Sequence, residues 1–330
     1  MLLLAAGAFF AYRAYQKVYG PNLTWPEGQY LFVKTGSTFQ TVTDSLRPYL
    51  KNEAAFEWVA QKKNYPKQVK PGRYALEDGM SNNALLNKLR SGDQEPLNLV
   101  IFGLKNLADL SGFLGKNLEY DSLEYFQAYT SEDFLRPYDL QEEEVLGQFL
   151  PNTYEFYWNA SPKYTLERMQ KESGRYWQNR QKELDQLELT PHEVVTLASI
   201  VESETVQPDE MPTVAGLYLN RLERGIKLQS DPTVIYGIRK DKPNSPIIKR
   251  VLFKHLRYQS EYNTYLHAGL PPGPIKLPSL TAIEAVLHAE DHNFIFMVAD
   301  PKRPGYHSFA TNLRQHNINR AKYIQWVRTQ

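Results

Sequence analysis

The stretch Thr190-Pro191-His192-Glu193-Val194-Val195-Thr196-Leu197-Ala198-Ser199-Ile200-Val201-Glu202-Ser203-Glu204-Thr205 decides how this chain is read. Thr190 is a good helix cap, Pro191 suits the first helical position, and Glu193 completes a capping box. Val194, Val195, Leu197, Ala198, Ile200 and Val201 make the helix apolar almost all round, which predicts burial. Two carboxylates, Glu202 and Glu204, close it. At about 100° per residue, Glu202 shares a face with Val195 and Ala198, with Val194 and Val201 to one side. Ser199 is its one polar neighbour within a turn. Glu204 points nearly the opposite way, towards Glu193, Leu197 and Ile200. A carboxyl group on an apolar stripe loses hydration when charged, so Glu202 is expected to keep a proton it can donate. The same helix also fits a Glu202 that merely pairs with an arginine such as Arg221.

Working upstream, residues 29–35 read as a strand, Gly36-Ser37-Thr38 as a turn and cap, and Phe39 to Leu50 as a helix. A second helix is expected over Glu53 to Lys63 and a strand over 70–76. Ser81 caps a helix that ends at Ser91-Gly92, and Leu97 to Phe102 is another strand. Downstream, residues 163–187 read as one long polar helix with Leu166, Met169 and Tyr176 inward, and Phe294 to Ala299 as a short strand. The fold class is α+β: a small α+β module over 21–95, then a mixed, mainly helical domain with short strands over 96–330. Leu2 to Ala11 is apolar but shorter than the roughly 20 residues that span a bilayer. With Tyr12, Arg13, Tyr15 and Lys17 behind it, the run is read as a membrane anchor over 1–20, incomplete as it stands, with a buried N-terminal helix as the alternative.

A net charge of +1 gives no basic excess for nucleic acid, which is not expected as a partner. The absence of cysteine excludes disulfides, thiolate nucleophiles and a lipid anchor through cysteine. The 22 tyrosines suit stacking on sugar rings, and equally suit cores and loops. His288 and His292 have the i, i+4 spacing of a zinc pair, with Glu284 and Glu290 nearby, but a third ligand is missing. No metal and no cofactor is expected.

Ala198 to Thr205 resembles the catalytic motif of the endolytic transglycosylases of the YceG-like family. Further stretches agree, in order. They are Phe149-Leu150-Pro151-Asn152-Thr153-Tyr154, Leu217 to Leu222, Leu228 to Gly237, Tyr262-Asn263-Thr264-Tyr265, Gly269 to Ile275, Phe309 to Leu313, and His316-Asn317. Asn152 stands where the family usually has Asp. The module over 21–95 is similar in layout to the family's LysM-like domain.

The resemblance implies non-hydrolytic cleavage between MurNAc and GlcNAc within peptidoglycan glycan strands, leaving 1,6-anhydro-MurNAc ends. Glu202 would then be the single acid and base. Ser203, Gln229, Asp231, Tyr236, Asn263 and Tyr265 are the candidates for binding substrate. Asp231-Pro232-Thr233 could instead cap a helix, and Asn263 and Tyr265 could be turn and packing residues. Gly269 to Pro274 would shape the groove, and Asn312 and His316 would belong to the site or buttress it. A single-pass protein of the inner membrane, with its catalytic domain on the periplasmic side beside cell-wall synthases, is the expected setting. A two-carboxylate glycoside hydrolase using Glu202 with Asp231 or Glu204, and a non-catalytic glycan-binding scaffold, are the alternatives.

Overall fold

The computed structural model describes residues 2–329. The chain divides into two compact units. The first runs to Leu99 and adds 114–121 and 154–161; the second comprises 100–113, 122–153 and the chain from Pro162 onward. Two later segments thus return to the first unit.

In the first unit α1 (Leu2–Tyr19) leads to β1 (Tyr30–Val33), α2 (Phe39–Leu46), α3 (Glu53–Lys62), β2 (Gly72–Ala75) and α4 (Asn82–Ser91). This is the predicted strand, helix, helix, strand order. β1 and β2 are antiparallel, with Tyr30 opposite Ala75 and Val33 opposite Gly72. Alternate residues Leu31 and Val33 enter a core with Leu46, Phe56, Tyr74 and Leu86. Thr38, Asn52 and Ser81 each accept a hydrogen bond from a first-turn N–H of the helix they precede. α2 stops four residues short of the predicted Leu50, because Pro48 lacks the donor a further turn needs and the chain tightens into a 3₁₀ turn over Arg47–Tyr49. No helix among the described residues is long and apolar enough to cross a membrane.

β3 (Leu97–Ile101) and β4 (Asn152–Phe156) form a second two-stranded sheet. The second unit holds α5 (Pro162–Gln178), α6 (Pro191–Glu204), α7 (Met211–Glu223), α8 (Asp231–Asp241), α9 (Leu280–Leu287), β5 (Phe296–Ala299), β6 (His307–Ala310) and α10 (Leu313–Val327), with shorter helices between. β5 and β6 are antiparallel, Phe296 facing Ala310. The predicted helix over 163–187 is in fact two, broken after Gln178. Arg180 leaves the helical path there, stacks on Tyr176 and binds Glu284 of α9. α6 is the axis of this unit. Every residue from Val194 to Val201 is buried, packed with Leu217 and Tyr218 of α7 and Ile283 and Val286 of α9. The capping box at its start forms as expected, Thr190 Oγ1 accepting from Glu193 N–H and Glu193 Oε2 from Thr190 N–H. A well-started helix buried along its middle delivers its last turn, Glu202-Ser203-Glu204, to a fixed place.

Candidate active site

The two carboxylates at the end of α6 meet opposite surroundings, and not the ones helix geometry alone suggests. Glu202 is not held on a bare apolar stripe. Its Oε2 stands 2.7 Å from Lys276 Nζ, and its Oε1 accepts the Ser279 N–H at 3.1 Å. Both oxygens are occupied, one by a cation and one by an N–H at the start of α9. The reason is the loop before α9. It folds back along α6, with Ile275 N–H on Ser199 Oγ at 3.0 Å, and so brings Lys276 to a face that α6 by itself leaves apolar. The alternative partner, Arg221, lies elsewhere, donating to the carbonyls of Ile295 and Leu228.

Glu204 turns inward. Its Oε1 accepts from the Tyr218 hydroxyl at 2.9 Å and from Ser230 Oγ. Among the described residues no hydrogen bond or ion pair engages its Oε2. Tyr218 and Ser230 are buried. Burial pushes the Glu204 carboxyl above the usual carboxylate range. The Ser230 and Tyr218 hydrogen bonds and the nearby His307 pull the other way, while the charge of Asp231 adds to the rise. A carboxyl held by one oxygen, biased towards its protonated form and without a protein partner at the other oxygen, is an arrangement that suits a proton donor.

The candidate binding residues sort around Glu204. Ser230 is the residue before α8, and Asp231, the first residue of α8, accepts the Tyr265 hydroxyl at 2.7 Å. Asp231 thus begins a helix and faces the site at once. Burial, then the hydrogen bond to Asp231, raise the Tyr265 hydroxyl and keep it protonated. Gln229 is exposed and sits at φ 51°, a left-handed turn pinned by its N–H on the Thr264 carbonyl. The other three have structural duties. Ser203 bonds back to the Ser199 carbonyl. Asn263 is buried and ties Leu256 and Tyr258 carbonyls together while accepting Tyr265 N–H. Tyr236 packs on Tyr262 with ring centres 4.6 Å apart. Asn312 caps α10, and the ring of His316 stacks on Phe296.

Sequence reading missed Lys276, Tyr218 and the pair Glu210 and His307. Glu210 is buried. Its Oε1 accepts His307 N–H at 2.6 Å and its Oε2 stands 2.9 Å from His307 Nδ1, strapping the loop after α6 to β6. The only available signal was the polar Glu210 just before an apolar helix. His288 and His292 do not share a helix, because α9 ends at Leu287 and His292 lies beyond it, bound to the Thr213 carbonyl. No group of three or more His, Asp or Glu among the described residues is placed to hold a metal ion.

The α+β fold thus encloses one inward carboxyl group, Glu204, held on one oxygen by two hydroxyls. The chain belongs to the YceG-like family, whose model matches residues 31–322. The endolytic murein transglycosylase of Bacillus subtilis is 26% identical, the match covering 88% of this chain and 84% of that protein. The endolytic murein transglycosylase of Streptococcus pneumoniae serotype 2 is also 26% identical, over 98% of this chain, which spans 64% of that longer protein. A crystal structure of a yceG-like protein from Listeria monocytogenes shares the fold, with a TM-score of 0.56 at 23% identity over 88% of this chain and 98% of that one.

Proposed function

We propose that this chain is an endolytic lytic transglycosylase that cuts the MurNAc–GlcNAc bond inside peptidoglycan strands and leaves 1,6-anhydro-MurNAc ends. Family membership and the names of the two curated relatives support the reaction class. The acid in this proposal is Glu204 in place of Glu202. The observation that carries it is the occupancy of the two carboxyl groups: both oxygens of Glu202 are engaged, whereas Glu204 has protein donors on Oε1 alone among the described residues.

In this mechanism Glu204 gives its proton to the glycosidic oxygen as the bond to MurNAc C1 breaks. The resulting carboxylate then takes the proton of the C6 hydroxyl of the same sugar, whose oxygen closes on C1. Glu204 is protonated again and no water is consumed, so a second catalytic carboxylate is not required, unlike in most glycosidases. Asp231, Tyr265 and Gln229 bind the sugar at the rim. Glu202, held by Lys276, fixes the loop that covers α6. The first unit has the βααβ order expected of a LysM-like glycan-binding module and is proposed to hold the strand. Attachment to the cell membrane through the N-terminal segment, with the second unit on the extracytoplasmic side ending nascent strands beside the synthases, belongs to the same proposal.

The test is mass spectrometry of peptidoglycan digested by wild type, Glu204→Gln and Glu202→Gln. Anhydro-MurNAc products from wild type and Glu202→Gln, with none from Glu204→Gln, are expected. Loss in Glu202→Gln alone would return the acid role to Glu202. Reducing ends in place of anhydro ends would make the protein a hydrolase, and no cleavage by wild type would make it a scaffold.

A further inference from the structure

The segment from the end of α8 to the short helix Phe253–Leu256 departs from the rest of the chain in charge and exposure. Between 239 and 257 there are seven Lys and Arg against a single acid, Asp241, in a chain whose net charge is only +1. Lys240 is committed to Glu143 and Glu142. For Arg239, Lys242, Lys249, Arg250, Lys254 and Arg257 no carboxylate among the described residues lies within ion-pair distance, and all six are exposed. Set among these cations are three large apolar side chains turned to solvent, Ile247 at 74%, Leu252 at 48% and Phe253 at 87% exposure. Leaving Phe253 and Ile247 in water forgoes burial that any intramolecular fold of the segment would gain, so the pattern favours an external surface.

We infer that residues 239–257 form a docking surface for an anionic lipid bilayer. The cations would lie over the headgroups, and Phe253, Leu252 and Ile247 would enter the headgroup–acyl boundary. Charge complementarity selects an anionic partner, and the apolar tips select a lipid surface over a soluble polyanion, which offers them nothing. α8 carries the consequence. It starts at Asp231, beside Glu204, and ends at Asp241, where the basic segment begins. Its length of about 16 Å would hold the candidate site at a set height above the bound surface. The inference rests on this segment and not on the transglycosylase reading.

Because the chain has no cysteine, Phe253→Cys gives a unique attachment point for an environment-sensitive nitrobenzoxadiazole dye, and Lys182→Cys gives an exposed control in the same unit. The full chain is mixed with vesicles of phosphatidylcholine, with and without phosphatidylglycerol. A several-fold rise and blue shift of the dye at 253 is expected with the anionic vesicles only, and no change at 182. Reversing Lys249, Arg250 and Lys254 to Glu should raise the anionic-lipid concentration needed for half the response at 253 at least about 100-fold, at about fivefold for each of the three cations lost. An unchanged signal at 253 while the protein still sediments with vesicles would overturn the inference, since binding would then run through another part of the chain. A response at 253 to soluble polyglutamate with none to vesicles would overturn it as well.

Discussion

Lys276 Nζ stands 2.7 Å from Glu202 Oε2, while two residues further along the same helix Glu204 holds only one oxygen against protein donors. The two carboxylates differ by about 200° around α6, which aims one at the loop before α9 and the other between α7 and α8. In the proposed mechanism that separation divides their work. A carboxylate paired with an ammonium group is a structural tie, and a carboxyl pushed towards its neutral form can deliver a proton.

Lys276→Met leaves the Glu202 carboxylate without its cation at a position only 17% exposed. A cost of about 1 kcal/mol is expected, above that of a fully exposed pair and below that of a buried one. Adding Glu202→Gln should recover part of the loss, because a neutral amide no longer needs the cation. Urea unfolding of the four proteins in the cycle measures the coupling; strictly additive changes would mean that the contact contributes nothing.

Burial raises Glu204 above the ordinary carboxylate range, so the folded chain binds this proton more tightly than the unfolded chain does. The stability it contributes is fully present below about pH 4, the unfolded value, and is lost as pH rises through the raised value. Glu204→Gln stays neutral throughout. Wild type should therefore lose thermal stability relative to this variant as pH rises from 4 towards neutrality, and parallel melting curves would contradict the burial argument. With Glu204 as the proposed acid, the activity of wild type should fall on the alkaline side, where Glu204 has given up its proton.

The end of α6 was legible in sequence because its cap, its apolar surface and its two glutamates are all local features. The βααβ order of the first unit was legible for the same reason, through Thr38, Asn52 and Ser81 as caps and through strand alternation. What a helix wheel lacks is the identity of the neighbours. Lys276 reaches Glu202 across 74 positions, and Tyr218 reaches Glu204 from another helix. Both partners arrive through tertiary packing that no periodicity encodes, and they give Glu202 a cation where the helix face is apolar and Glu204 two buried hydroxyls. Asn263 and Tyr236 lay in the right motifs but serve the loop and the core.

Asp231 acts on Glu204 through its charge, and Tyr265 acts on Asp231 through its hydroxyl. Removing the charge with Asp231→Asn takes away one of the influences that raise Glu204. The alkaline limb of the pH–rate profile should move to lower pH, and an unmoved limb would mean that the two groups are not coupled. Tyr265→Phe frees Asp231 from its hydrogen bond, and a rise of about three- to tenfold in KM is expected, in keeping with one net hydrogen bond. A fall in kcat with KM unchanged would instead give Tyr265 a part in the chemical step.

Gly216 lies on α7, where the helix passes directly against the chain at Glu290 and the ring of His292. A Cβ added there would run into the Glu290 carbonyl, and backbone cannot step aside as a flexible side chain can. The Glu290 N–H is bonded to the Pro212 carbonyl and His292 to the Thr213 carbonyl, so the loop is tied on both sides of the contact. Helix propensity alone would favour Ala over Gly by about 1 kcal/mol. Overpacking against fixed backbone costs about 1–3 kcal/mol and should win. Gly216→Ala is therefore expected to lower the unfolding temperature despite its better propensity. Because α7 also carries Tyr218, activity should fall with it, whereas a gain in unfolding temperature would show that the loop at 290 yields more readily than its two hydrogen bonds imply.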